Sequence, residues 1–281
     1  MKNLYLLIFI LFFIQITVSS QSCLPDGIIF STQADIDNFQ TNYPGCTEIE
    51  GNVRIEGDGI INLNGLSVLT SIWKNLWIKY NNALTSLTGL DALTSIGGNI
   101  LIYQNAVTSL TGLDALTSIG GNILIYQNAV TSLTGLDALT SIGGYLDIKN
   151  NNALTSLTGL DAVTSIGERL TIRGNSSLTS LTGLDAVTSI GGRLSIDGNS
   201  SLTSLTGLDA VTSIEGYLDI WDNESLTSLT GLDAVTSIGE HLDITENEAL
   251  TSLTGLDALT SIKEYLAGLY EIIFTKDTNY L

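Results

Sequence analysis

The apolar residues of most of this chain follow one recurring order. In the stretch that starts at Tyr145, Leu146 and Ile148 alternate with Tyr145, Asp147 and Lys149, and then Leu154, Leu157, Leu160, Val163 and Ile166 fall at every third position. Alternation marks a strand with one buried face. A period of three suits neither an α-helix nor a long strand; it suits a chain bending through short extended pieces around a narrow core. Neither half can bury its apolar face alone, so successive units must stack, strand on strand, about 4.8 Å apart. The expected architecture is all-β, a parallel β-solenoid.

The repeat confirms the pattern. The segment Thr-Ser-Leu-Thr-Gly-Leu-Asp-Ala-Leu-Thr-Ser-Ile, or a close variant, begins at Ile61, Thr85, Thr108, Thr131, Thr155, Thr179, Thr203, Thr227 and Thr251, a step of 24 residues that twice shortens to 23. Periods in this range belong to solenoids. Residues 97–119 and 120–142 are identical, which records a duplication.

The ends differ from the array. Residues 1–20 carry Lys2, an apolar run from Leu4 to Val18 and then Ser19 and Ser20, the three-part form of a secretory signal, with cleavage expected near Ser20. No membrane insertion is expected after cleavage. Cys23 and Cys46 then lie in an oxidising compartment, with no histidine nearby, and are expected to form a disulfide. Between them, Ser31 to Asp35 looks like a helix start, and Ile36, Phe39 and Tyr43 repeat at helical spacing before Pro44 and Gly45. Residues 21–52 are therefore expected as a stapled N-terminal cap and 53–262 as the solenoid. Ser261-Ile262-Lys263-Glu264 has capping-box form, and Ile262, Tyr265, Leu266, Leu269, Ile272 and Ile273 share a helical face. A capping helix is expected over 262–274, within a C-terminal cap or altered terminus at 263–281.

Composition narrows the function. Of 281 residues, 44% are hydrophobic and 14% charged, so the chain folds around a large core. Its formal charge of −19 repels phosphate, and neither nucleic acid nor an anionic membrane is an expected partner. One His and two Cys exclude a Cys/His zinc module, and no cofactor or metal is expected.

Stacking turns equivalent residues into columns. Asn81, Asn105, Asn128, Asn151, Asn175, Asn199, Asn223 and Asn247 follow each strand at the same offset, with Asp58 at that offset earlier, and are expected to form an inward Asn ladder. Asp91, Asp114, Asp137, Asp161, Asp185, Asp209, Asp233 and Asp257 form a second column, whose mutual repulsion requires an offset. Backbone N–H groups at the Gly-Leu-Asp-Ala turn are the expected offset, and calcium between rungs the alternative. Thr88, Thr111, Thr134, Thr158, Thr182, Thr206 and Thr230 form a hydroxyl column that an ice-binding surface would also show, although without outward Thr-x-Thr pairs on a strand.

The strand face is where units differ. The position before each strand runs Asn75, Asn99, Asn122, Tyr145, Arg169, Arg193, Tyr217, His241, and the position after it Lys79, Tyr103, Tyr126, Lys149, Arg173, Asp197, Trp221, Thr245. Aromatic and basic residues gathered on one sheet of an acidic protein suit recognition of a protein or glycan ligand. The candidate binding residues are Lys79, Tyr103, Tyr126, Tyr145, Lys149, Arg169, Arg173, Arg193, Tyr217 and Trp221. Drift at solvent-facing strand positions would produce the same variety. A purely structural spacer or adhesin stalk is the alternative function. Carboxylates also gather on neighbouring rungs, namely Asp219, Asp222, Glu224, Asp243, Glu246 and Glu248 near Tyr217, Trp221 and His241, as in a polysaccharide-cleaving β-helix. No inserted loop is long enough to build a cleft around them, and no enzyme is expected.

The opening Gly45-Cys46-Thr47-Glu48-Ile49-Glu50-Gly51-Asn52-Val53-Arg54-Ile55, followed by Leu-x-Ile strands, resembles the receptor L-domain family over roughly residues 23–270. That resemblance implies a leucine-rich-repeat-like, right-handed β-helix, here of about nine to ten turns, acting outside the cell. The repeat wording is most similar to the secreted bacterial surface members. The chain has more turns than a receptor L-domain and no cysteine-rich module or kinase, so hormone binding does not carry over.

Overall fold

The computed structural model describes residues 21–263 and the backbone of the strand Tyr265–Ala267. The secretory segment read over 1–20 and the stretch 268–281 lie outside the described residues. The chain is a right-handed, all-parallel β-solenoid of about ten turns.

One wall is an 11-stranded parallel sheet that takes its strands in chain order from Ile28–Phe30, Val53–Ile55 and Leu76–Asn81 through to His241–Thr245 and Tyr265–Ala267. Leu146 pairs with Leu170 and Ile148 with Ile172, so like sits on like throughout. The register is set by the buried Leu-x-Ile pair, because a one-residue slip would expose both. A second wall consists of two-residue strands, Ser-Ile from Ser71–Ile72 onward, in two five-stranded sheets, which run Ser22–Cys23 to Ser118–Ile119 and Ser165–Ile166 to Ser261–Ile262. Ile142 bridges to Ile166. The residues at period three (Leu154, Leu157, Leu160, Val163 and Ile166 in one turn) are 0 to 1% exposed and fill the interior as one continuous core.

The return path is pinned by glycine. Gly183 has φ +112°, and a Cβ placed there would stand 2.2 Å from the Leu157 carbonyl oxygen of the turn below. Only glycine allows so close an approach.

At the N-terminus, Cys23 and Cys46 are disulfide-bonded, with Cα atoms 5.7 Å apart. Two short helices follow the expected start. In α1 (Gln33–Asp37) Thr32 and Asp35 form a reciprocal capping box, and α2 (Phe39–Asn42) continues it. Ile36 and Phe39 are buried over the end of the core.

The C-terminal end differs from the expected capping helix. Ser261–Ile262 and Tyr265–Ala267 are strands, paired in register with Ser237–Ile238 and with His241, Leu242 and Asp243. The open edge of the preceding turn offers backbone partners along two walls, and this outweighs the local helical spacing of Ile262, Tyr265 and Leu266. The remainder of the expected helix, 268–274, lies outside the described residues.

Candidate functional site on the outer face of the large sheet

The Asn column is an inward ladder. Asn175 N–H donates to Asn199 Oδ1 at 3.0 Å, and its Nδ2 donates to the Ile148 carbonyl at 3.0 Å and to Asn199 Oδ1 at 3.3 Å. The pattern runs from Asn81 to Asn247. Its lower end departs from expectation: Gly57, not Asp58, takes the ladder position and donates its N–H to Asn81 Oδ1. The strand ending at Ile55 is followed by one residue fewer before the bend, and Asp58 is exposed and bonded to Asn82.

A second, shorter ladder emerges at residues read from sequence as part of the variable face. Asn75 N–H donates to Asn52 Oδ1, Asn99 N–H to Asn75 Oδ1 and Asn122 N–H to Asn99 Oδ1, the last two at 2.7 Å. Tyr145 N–H ends the chain on Asn122 Oδ1. These asparagines hold the sheet margin.

The Asp column is offset as expected. Asp91 Oδ2 accepts the Gly89 N–H at 2.7 Å, and the same bond recurs up the stack. The threonine hydroxyls are engaged locally, as Thr182 with Ser180 at 3.0 Å.

The ten candidate binding residues all lie on the large sheet or at its margin, and they form linked groups. Lys79 pairs with Glu56 at 3.0 Å and stands over the Tyr80 ring, which packs edge-on against Tyr103. Tyr126 OH and Lys149 Nζ each donate to Asp147 Oδ2 at 2.8 Å, and Arg169 grips the same carboxylate while its guanidinium lies 3.8 Å over the Tyr145 ring. Arg173 pairs with Asp197 at 3.0 Å and lies over Trp221. Arg193 stands over Tyr217 and donates to its hydroxyl, and Tyr217 stacks on His241 at 4.5 Å. Arg54 over Trp77 completes a set in which each of the six basic residues on this face has an aromatic neighbour.

Electrostatics follow burial and pairing. Burial would raise the Asp147 carboxyl, but hydrogen bonds from Arg169, Lys149 and Tyr126 outweigh it and hold the group at about 2. Burial, reinforced by the bond to Asp147, raises the Tyr126 phenol. At Asp197 and Asp219 burial wins over Arg173 and His241 respectively, and both carboxyls are raised.

The middle outward column was missed by sequence reasoning. Arg54, Trp77, Leu101, Leu124, Asp147, Thr171, Ser195, Asp219 and Asp243 occupy the x of Leu-x-Ile on successive rungs. Trp77, Leu101 and Leu124 lie side by side as an apolar strip, with Tyr103 and Tyr126 in the neighbouring column. The signal was available, because an outward strand position carrying Trp and then Leu twice is unusual for a solvated face.

The acidic residues near His241 do not converge. Asp219 pairs with His241 at 3.4 Å, and Asp243 is its neighbour on the next rung. Asp222 and Glu246 instead occupy left-handed positions (φ 56° and 54°) on the bend beyond the strand.

The fold and this face define a parallel solenoid with one broad sheet whose outer side is rich in aromatic and charged side chains. Residues 45–139 match the family model described as Receptor L domain, a family of non-catalytic, ligand-binding modules. No curated protein matches the chain. Among the described residues no helix is long and apolar enough to cross a membrane.

Proposed function

We propose that the chain is a secreted or cell-surface, non-catalytic binding module that recognises a protein ligand through the outer face of its large sheet, in the manner of the secreted surface members it resembles. The observation that carries this reading is the strip Trp77, Leu101 and Leu124, flanked by Tyr103 and Tyr126 and bordered by the charged cluster at Asp147. An apolar, aromatic centre with a charged rim is the anatomy of a protein interface. Glu56, Asp147 and Asp197 on this face are paired with Lys79, with Lys149 and Arg169, and with Arg173, so its charge is largely balanced in a chain of formal charge −19. The disulfide fits an oxidising compartment.

The test is a binding screen against extracellular proteins and glycans with the intact chain, a Leu101→Ser/Leu124→Ser variant and a Tyr103→Ala/Trp221→Ala variant. Loss of a detected interaction in both, with folding retained, supports the reading. Ligands that bind both variants as well as the parent chain would refute it, and a glycan as the only strand-face ligand would replace the protein partner.

A further inference from the structure

The two 23-residue turns leave a notch. In the 24-residue turns the ladder asparagine opens a tight turn, closed by N–H of the fourth residue onto its carbonyl, as Leu84 onto Asn81 (3.1 Å) and Leu154 onto Asn151 (2.9 Å). The duplicated turns read Asn105-Ala106-Val107 and Asn128-Ala129-Val130, one residue too short for that turn. Two adjacent rungs therefore lack the projecting turn that their neighbours carry. The result is a groove of about 830 Å³, with Ala106 and Ala129 as floor and Asn82 and Asn152 on its flanking rungs. The ladder shows the same gap: Asn105 and Asn128 are 5% and 6% exposed, whereas Asn81 and Asn151 are 0% exposed.

We propose that this groove binds a neutral oligosaccharide. Its volume falls within the range of small-ligand sites, roughly 300–1,000 Å³. Its lining contains no charged residue, although the chain carries a formal charge of −19. The side-chain amides of Gln104, Gln127, Asn150 and Asn152 line it and make no hydrogen bond among the described residues. Each amide offers both a donor and an acceptor, which matches the adjacent hydroxyls of a neutral sugar. An ionic ligand would find no counter-charge, and an apolar one would desolvate the amides without return. A peptide strand finds no open edge along these rungs, since Gln127 N–H is already bonded to the Lys149 carbonyl.

The bend beyond each strand, from Tyr80 to Glu246, is left-handed. Gln104, Gln127 and Asn150 hold φ of 50°, 52° and 55°, and Gly174 and Gly198 occupy the equivalent position on the next two turns. Glutamine in this region is unfavourable where glycine is at ease. Tyr80, Asp222 and Glu246 hold the same conformation on other turns, so it belongs to the bend itself, and at the two short turns the bend is occupied by amides.

The groove adjoins the strand face at Tyr80, which lines it and packs against Tyr103, so the strand-face control variant is placed on rungs beyond the groove. The full chain is titrated with neutral tri- to hexasaccharides of glucose, mannose and xylose, with acidic oligogalacturonates, and with an unstructured neutral peptide. Three forms are compared: the parent, Gln104→Gly/Gln127→Gly, and the strand-face variant Arg193→Ala/Trp221→Ala. The glycine variant removes the amides while installing the residue that later turns already use, so it is expected to melt no lower than the parent. We expect at least one neutral oligosaccharide to bind the parent and the strand-face variant alike, and to bind the glycine variant at least about tenfold more weakly. No binding of any neutral sugar at millimolar concentration, a preference for the acidic sugars or the peptide, or unchanged affinity in the glycine variant would each overturn the proposal.

Discussion

Arg169 holds Asp147 across one rung through two parallel bonds, Nε to Oδ1 at 3.2 Å and an Nη to Oδ2 at 2.9 Å, and the carboxylate is only 1% exposed. A buried carboxylate is tolerable on a sheet face only because Lys149 and Tyr126 supply two more donors. This cluster joins three consecutive rungs at the middle of the candidate recognition surface.

It also makes stability depend on pH. Asp147 falls from an ordinary 3.8 to about 2 in the folded chain, so its contribution is complete above about pH 4 and is lost as pH falls toward 2. The shift corresponds to about 2 kcal/mol. Asp197, whose carboxyl is raised, acts with the opposite sign and offsets part of this. Denaturant melts between pH 5 and pH 2 are expected to fall less steeply for Asp147→Asn than for the parent; parallel profiles would show that the cluster does not set acid stability.

The Asn ladder is structural. Asn175→Ala leaves the Asn151 N–H without its acceptor and takes the side-chain donor from the Ile148 carbonyl, both in the interior. We expect a loss of about 2–4 kcal/mol in urea unfolding, since each stranded group costs about 1–3 kcal/mol. Ligand binding by the strand face should be unchanged in whatever fraction remains folded.

Gly183→Ala tests the packing of the return path. The added methyl meets the Leu157 carbonyl oxygen at 2.2 Å, and φ +112° is unfavourable to alanine before any clash is counted. The expected cost exceeds about 2 kcal/mol, measured as a lowered Tm. By contrast Gly59→Ala, where the Cβ meets nothing within 4 Å, should leave the Tm nearly unchanged.

Each carboxylate of the Asp column accepts the N–H of the glycine two residues earlier, as Asp185 does from Gly183 at 2.8 Å. Local bonds of this kind stabilise the charge without a bridging cation. Addition of EDTA, or of millimolar calcium, should leave the melting temperature where it was; a drop with chelator would assign these rungs to metal.

The order of apolar residues determined the architecture by itself. Leu146 and Ile148, then five apolar positions at period three, have no way to be buried except by stacking on their own copies, and the inward Asn ladder and the Asp-to-glycine bonds follow from the same step. Tertiary structure alone decided the rest. Asn75 and Asn99 form a ladder, whereas Tyr103, in the other flanking column, stays on the variable face, a distinction set by what lies across the rung. Asp147 finds Tyr126 and Arg169 on neighbouring turns, 21 and 22 residues away in sequence, so no local spacing announces them. The 23-residue step was visible as arithmetic, but the groove exists only because two short turns lie between longer ones. At Ile262 helical spacing lost to an open sheet edge, because a backbone with partners already waiting outweighs a local preference.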